Sequence, residues 1–239
     1  MQLIILASGR GSRLKEKTKK IPKSLLAVNK IPLIEHNLKF YKYFSKKIIV
    51  VGYKKDLIIK KLKNYDFSFY ENKKYNSTNM VESMFCCHKM IIEDVVICYS
   101  DIIFDHKIIN NLQSKYNIMP VYKNWLNLWK KRMDFKKIFN DAEGLKINNG
   151  FISSIGFKID TKLPKYQFMG IIKLNKRDYS NLKNYYFKTN NKKIDFTNFI
   201  NLAVKNNVIK IKTSVTKKYW YEVDTKKDLR VVEKLLKTI

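Results

Sequence analysis

Apolar and polar positions follow two rhythms along this chain. Short continuous apolar runs at 2–7, 47–52 and 95–99 are rich in Ile, Val and Leu and bounded by polar residues. Runs of that length and composition are the pattern of strands buried on both faces of a parallel sheet. Between them, apolar residues recur at helical spacing over 33–44, 55–64, 80–90 and 105–115. Further strands are expected at 67–71 and 117–122, with a polar loop from Glu71 to Asn79. Strand and helix alternate as in repeated βαβ units, which predicts an α/β fold with a doubly wound, mostly parallel, Rossmann-like sheet.

The rhythm changes over 133–175. Short alternating segments flank Asn148-Asn149-Gly150, and Asn-Gly between such segments signals a hairpin, so a small antiparallel excursion is expected there. Helices return at 178–187 and 195–206, two short strands at 208–213 and 218–223, and an amphipathic helix at 225–237. No internal repeat or linker interrupts this order. The expected organisation is one domain over 1–239, with about 123–175 as an inserted lid.

Composition narrows the class. With 239 residues, 45% of them hydrophobic, the chain is long enough to bury a core without metal or disulfide support. No apolar run reaches the roughly 18 residues that would span a bilayer, and the N-terminus lacks a charged leader region, so no membrane insertion and a cytoplasmic location are expected. The net charge of +29 raises the question of nucleic acid. Yet 44 of the 49 basic residues are lysine, the other five being Arg10, Arg13, Arg132, Arg177 and Arg230, and they are spread along the chain. That distribution reads as a solvated surface serving an anionic substrate, with no specific nucleic-acid partner. Cys86, Cys87 and His88 are adjacent, but neighbours on a helix point about 100° apart and cannot converge on one ion.

The candidate chemistry begins where the first strand ends. Leu6-Ala7-Ser8-Gly9-Arg10-Gly11-Ser12-Arg13-Leu14 places a glycine-rich turn directly after a buried strand, and Pro22-Lys23-Ser24-Leu25 follows. Glycines there let backbone N–H groups close on phosphate oxygens without interference from Cβ. Leu14 occupies the third glycine position of a dinucleotide fingerprint, and no Gly-Lys-Ser/Thr follows, so neither a dinucleotide site nor a P-loop is encoded. Arg13 and Lys23 are placed instead to flank a triphosphate.

These residues resemble the signature of the sugar-nucleotidyltransferase superfamily, LAxGxGxRL followed by PKxL. Its members join a nucleoside triphosphate to a phosphorylated small molecule and release pyrophosphate. The likeness extends along the chain through Val51-Gly52-Tyr53, Ser77-Thr78-Asn79 with Glu82-Ser83, Tyr99-Ser100-Asp101, Phe168-Met169-Gly170 and Trp220-Tyr221-Glu222-Val223-Asp224. Together with Trp125, Trp129, Arg132 and Asp141-Ala142-Glu143, they resemble the bacterial choline-phosphate cytidylyltransferase-like branch. Ser100 stands where the superfamily has glycine.

The resemblance implies a site. Leu6, Ala7, Ser8, Gly9, Gly11, Arg13, Lys23, Thr78, Asn79, Ser83 and Ser100 would bind the nucleotide, and Arg13, Lys23, Asp101 and Asp224 would carry catalysis. Asp101 and Asp224, each following a strand, would hold Mg²⁺ with substrate oxygens and waters. Thr225 and Asp228 have capping-box spacing, which leaves Asp224 free, while Asp105 competes with Asp101 as a cap. For the acceptor, Trp125 and Trp129 share a helical face at i, i+4 and would offer an aromatic wall to a cation, or simply pack in the core. Arg132, Asp141, Glu143 and Asp195 complete the acceptor candidates; Asp195 equally suits an N-cap, and Asp141 with Glu143 a solvated pair.

The implied reaction is CMP transfer from CTP to a small phosphorylated alcohol or phosphonate, with phosphocholine the leading acceptor and an aminoethylphosphonate-like compound next. A sugar-1-phosphate nucleotidylyltransferase using UTP or dTTP is the neighbouring alternative. A non-catalytic nucleotide-binding relative or a basic nucleic-acid-binding protein is the alternative of another class. A monomer or a homodimer is expected.

Overall fold

The computed structural model of the protein describes residues 1–189 and 191–238. Strand β1 (Gln2–Ala7) runs into the glycine-rich loop, followed by 3-10 turns at Ser12–Thr18 and Lys23–Leu25. A ribbon of β2 (Ala27–Val28) and β3 (Ile31–Pro32) leads to α1 (Leu38–Tyr41), β4 (Lys46–Val51), α2 (Lys55–Leu62) and β5 (Ser68–Glu71). Then come α3 (Met80–Phe85), β6 (Val95–Tyr99), β7 (Ile102–Phe104), α4 (Ile109–Leu112) and β8 (Asn117–Tyr122). The chain continues through α5 (Trp125–Arg132), α6 (Phe135–Asp141), β9 (Glu143–Asn148), β10 (Phe151–Lys158), β11 (Gln167–Phe168) and β12 (Ile171–Leu174). It closes with α7 (Lys176–Thr189), α8 (Phe196–Lys205), β13 (Ile211–Thr216), β14 (Trp220–Glu222) and α9 (Lys226–Leu236).

The main sheet has the order β5-β4-β1-β6-β12-β8-β13-β10-β9, with β11 paired to β8. Strands β5, β4, β1 and β6 are mutually parallel, as are β8 and β13. β12 is antiparallel to both β6 and β8, so those two run the same way and the sheet is mixed but mostly parallel. Alternation along the strands feeds two cores. Leu3, Ile5, Ile49, Val51 and Val96 face one layer, with residues of α1, α2, α5 and α9; Ile4, Leu6, Ile48, Val50 and Ile97 face the other, with α3, α7 and α8. A sheet covered on both faces explains why its strands read as continuous apolar runs.

Several elements differ from the periodicity. The helix expected over 33–44 is a 3-10 segment, Leu33–Asn37, followed by the short α1. Buried Asn37 sits at the junction, where its amide donates to the Ile102 carbonyl at 2.7 Å. Residues 135–141, expected within the antiparallel excursion, form α6, capped by Asp134. The hairpin does form: Asn149 and Gly150 take φ of 48° and 79° between β9 and β10, the left-handed pair that a tight turn requires. Residues 171–174, counted in the same excursion, lie as β12 in the middle of the main sheet.

Candidate active site

Four elements bring charged groups together at the carboxyl ends of the parallel strands. β1 pairs with β6 so that Leu6 lies beside Tyr99, which sets the glycine-rich loop next to the turn at Ser100 and Asp101. β14 pairs with β7, and the Val223 N–H donates to the Asp101 carbonyl at 3.1 Å, which brings Asp224 against Asp101 although 123 positions separate them. Lys23 arrives from the second 3-10 turn. Gly11 permits that approach, since a Cβ there would lie 2.7 Å from the Lys23 Cβ and its φ is 71°.

Lys23 Nζ donates to Asp101 Oδ2 at 2.6 Å and also to Asp224 Oδ1, while the Arg13 guanidinium pairs with Asp224 Oδ2 at 2.9 Å. Burial disfavours the ammonium, but the charges of Asp101 and Asp224 outweigh it and hold the Lys23 pKa above the usual lysine range. Burial likewise works against ionised Asp224, and Lys23 and Arg13 overcome it to keep that carboxyl below its usual range. Asp101 Oδ1 is buried and has no hydrogen-bond partner among the described residues. Asp101 and Asp224 are not occupied as helix caps: Thr225 and Asp228 form the capping box of α9, and Asp105 caps the turn at His106–Ile108. Hard oxygen donors on either side of one cation, one of them unsatisfied, fit a divalent metal.

The loop itself is clamped. The Tyr53 N–H donates to the Ser8 carbonyl at 2.9 Å, and its hydroxyl donates to the carbonyls of Thr18 and Lys19 at 3.1 and 2.9 Å. Leu6 and Ala7 are buried backbone providers, while Gly9 is open to solvent. Ser100 is buried in the turn after β6. Lys15, within the same segment, takes φ 50° and ψ −117°, a conformation that suits glycine.

Thr78, Asn79 and Ser83 divide into different roles. Ser83 is buried and its hydroxyl lies 2.7 Å from that of Ser8, so it joins α3 to the glycine-rich loop rather than facing a ligand. Asn79 caps α3 through the Met80 N–H, and Thr78 donates to the Lys74 carbonyl; both still line an open hollow with Lys193.

Beyond Asp224 lies a cleft of about 230 Å³ lined by Arg13, Trp129, Asp141, Glu143, Asp195 and Glu222, with Tyr99, Phe168 and Phe196 forming its aromatic side. Phe168 and Phe196 stack at 5.7 Å and 11°. Of the expected tryptophan wall, Trp129 reaches the cleft but Trp125 does not. Trp125 is buried, packs edge-on against Trp129 and donates to the Pro164 carbonyl at 3.2 Å, so it belongs to the core. Arg132 does not line this cleft: it is buried under Trp129, with Nε 3.0 Å from Asp228 Oδ1 and Nη1 3.6 Å from Glu222, and it lines a neighbouring cavity of about 520 Å³ with Arg13 and Asp141. Asp195 caps α8 through the Asn198 N–H at 2.9 Å while still bordering the cleft. Burial raises the pKa of Glu143, opposed by the hydroxyl of Thr197 donating at 3.0 Å.

Glu222 was visible only as part of a motif. Desolvation, with the nearby charge of Asp224, pushes its pKa up to about 8 against the pull of Arg132. Its alternation partner Tyr221 points away, and strand register beside Asp224 is the signal that locates it. Among the described residues there is no cluster of three or more metal-ligating side chains, and no helix is long and apolar enough to cross a membrane.

Residues 3–124 match the model of the MobA-like NTP transferase domain. The chain is 32% identical over 187 residues to a CTP:phosphoglutamine cytidylyltransferase of Campylobacter jejuni, covering 73% of each protein. It is 29% identical over 157 residues to a choline-phosphate cytidylyltransferase of Streptococcus pneumoniae, covering 63% of this chain and 68% of the other. Among solved structures, the inositol-1-phosphate CTP transferase from T. maritima superposes with a TM-score of 0.80 over 99% of this chain and 94% of that one, at 24% identity.

Proposed function

This chain belongs to the MobA-like NTP transferase domain family and is an enzyme of the nucleotidyltransferase type, and on that premise we propose that it transfers CMP from CTP to a small phosphorylated acceptor bearing an ammonium group. The observation that carries this reading is the junction of two charge environments at Asp224. On one side stand Lys23, Arg13 and Asp101; on the other, the cleft of Trp129, Asp141, Glu143, Asp195 and Glu222. A polyanion suits the first and a cationic head group suits the second. Phosphocholine and a phosphorylated glutamine both carry such a cation, and the relatives named for them support this acceptor class.

In the reaction, an acceptor phosphate oxygen attacks the α-phosphorus of CTP. The bond from that phosphorus to the bridging oxygen breaks, and pyrophosphate leaves with the electron pair. The attacking oxygen is ionised at neutral pH, so no general base is required. Lys23 and Arg13 bring the two anions together by neutralising charge, which is most of what phosphoryl-type transfer asks of a protein. In the free enzyme, their two positive charges balance those of Asp101 and Asp224. A triphosphate entering the loop gives both cations new partners and releases the carboxylates. Asp101 and Asp224 would then hold Mg²⁺, which supplies neutralisation of phosphate charge and polarisation of phosphoryl oxygens.

Pyrophosphate release in Mg²⁺ with CTP, UTP, dTTP, GTP and ATP tests the reading against phosphocholine, phosphoethanolamine, aminoethylphosphonate, phosphorylated glutamine and glucose 1-phosphate. Turnover is expected with CTP and an ammonium-bearing acceptor, and Asp101→Asn or Asp224→Asn removes it. Turnover confined to glucose 1-phosphate with UTP or dTTP overturns the proposal.

A further inference from the structure

Two spaces of opposite charge adjoin beside Asp224. The acidic cleft of about 230 Å³ shares Arg13 and Asp141 with the second cavity of about 520 Å³. Basic side chains dominate the wall of the second, which is lined by Arg13, Arg132, Lys137 and Lys227. Its carboxylates are already engaged. Asp228 Oδ2 accepts the N–H groups of Asp224 and Thr225 at 3.0 and 2.7 Å, and its Oδ1 faces Arg132 Nε at 3.0 Å. Asp134 caps α6 and pairs with Lys137 at 3.1 Å, and Asp141 borders the acidic cleft as well.

Two further observations point to an anion in this cavity. Arg132 is only 4% exposed, and neither its Nε nor its Nη1 has a partner in hydrogen-bonding geometry among the described residues. With Glu222 as far as 3.6 Å away, the protein satisfies this buried charge incompletely, and a cation in that state favours negative charge in the space it lines. The eleven-residue α9 also starts at the cavity, where Thr225 caps it and Lys227 stands in its first turn. The first N–H groups of a helix lack partners within it and favour an anion.

We propose that this cavity is a carboxylate subsite, so that the acceptor is a phosphorylated amino acid. The ammonium lies in the acidic cleft, the carboxylate faces Arg132, Lys137 and Lys227, and the phosphate reaches Lys23 beside Asp224. An α-amino acid carries its ammonium and carboxylate on one carbon, which matches a boundary where Asp141 and Arg13 border both spaces. The inference rests on the ammonium-bearing acceptor proposed above and adds a group that phosphocholine lacks.

Phosphoserine and phosphoethanolamine differ by that carboxylate alone and are the probes. With CTP and Mg²⁺, kcat/KM is expected to be about tenfold higher for phosphoserine, the scale of one hydrogen bond to a charged group. Lys137 and Lys227 are exposed, so a double variant with Lys137→Met and Lys227→Met leaves the core intact, which thermal unfolding checks. It should bring the ratio of the two probes close to one, through KM for phosphoserine. Turnover of phosphocholine or phosphoethanolamine at or above that of phosphoserine overturns the subsite while the ammonium-bearing acceptor stands. A wild-type preference for phosphoserine that the double variant leaves in place overturns it too, and a rise in KM for CTP alone then assigns the cavity to the triphosphate. Turnover of no ammonium-bearing acceptor overturns that reading and the subsite with it.

Discussion

The two sides of Asp224 differ in how their charges are settled. On the loop side, the charges nearest Asp224 are matched: Lys23 sits between Asp101 and Asp224, and Arg13 holds the remaining oxygen of Asp224. On the cleft side, Asp141, Glu143, Asp195 and Glu222 border the same 230 Å³, and the cation beneath them, Arg132, is shared between Asp228 at 3.0 Å and Glu222 at 3.6 Å. A balanced cluster is suited to exchanging partners when a polyanion arrives. An acidic surplus in partly desolvated surroundings is suited to a positive ligand, and burial there raises the pKa values of Glu143 and Glu222.

The comparison breaks most severely at Lys23. Lys23→Met should lower kcat by about 10³-fold, the scale of removing one preorganised charge from a transition state, with little change in acceptor KM; steady-state kinetics decides. On the other side, Glu143→Gln should raise KM for an ammonium-bearing acceptor about tenfold and leave KM for CTP unchanged. Equal changes in both KM values would mean that the two environments are not separate.

A third effect is read in stability rather than rate. The folded-state pKa of Glu222 is raised to about 8 from the ordinary 4.5, so the folded protein holds a proton there that the unfolded chain has released. Its stabilising contribution is full below about pH 4.5 and is lost as pH rises through about 8. Glu222→Gln should therefore flatten the fall of Tm across that window relative to wild type, and it should be the more stable protein above pH 8. Smallest of all, Lys15→Gly should stabilise the free enzyme by about 1 kcal/mol, because the backbone there favours glycine; denaturant unfolding measures it.

Much of the loop side was legible in the sequence, since it is local. A strand, a glycine turn, Arg13 and Lys23 fall within 23 residues, and the turn chemistry dictates their use. Asp101 and Asp224 were legible as strand ends, but their meeting depends on the β7–β14 ribbon, which no periodicity announces. The cleft side was read less well because its members are decided by packing. Trp125 and Trp129 are equivalent in spacing; only the Pro164 carbonyl and the filled core beside Trp125 separate them. Arg132 is held beneath Trp129 by Asp228 at the start of α9 and by Glu222 of β14, a pairing that sequence spacing does not show.

β12 has a bearing on how the protein is made. It occupies the place between β6 and β8, and 72 positions separate the end of β6 at Tyr99 from its start at Ile171. Synthesis proceeds at roughly 5–20 residues per second, so the edge of β6 waits about 4–14 s for its partner. During that interval the nascent chain exposes one unpaired edge of Val95–Tyr99, with an apolar face meant for helices not yet translated. A ribosome stalled between these two strands would therefore hold an aggregation-prone intermediate, and the cell's holding chaperones should bind this protein most strongly while residues 100–170 are being added.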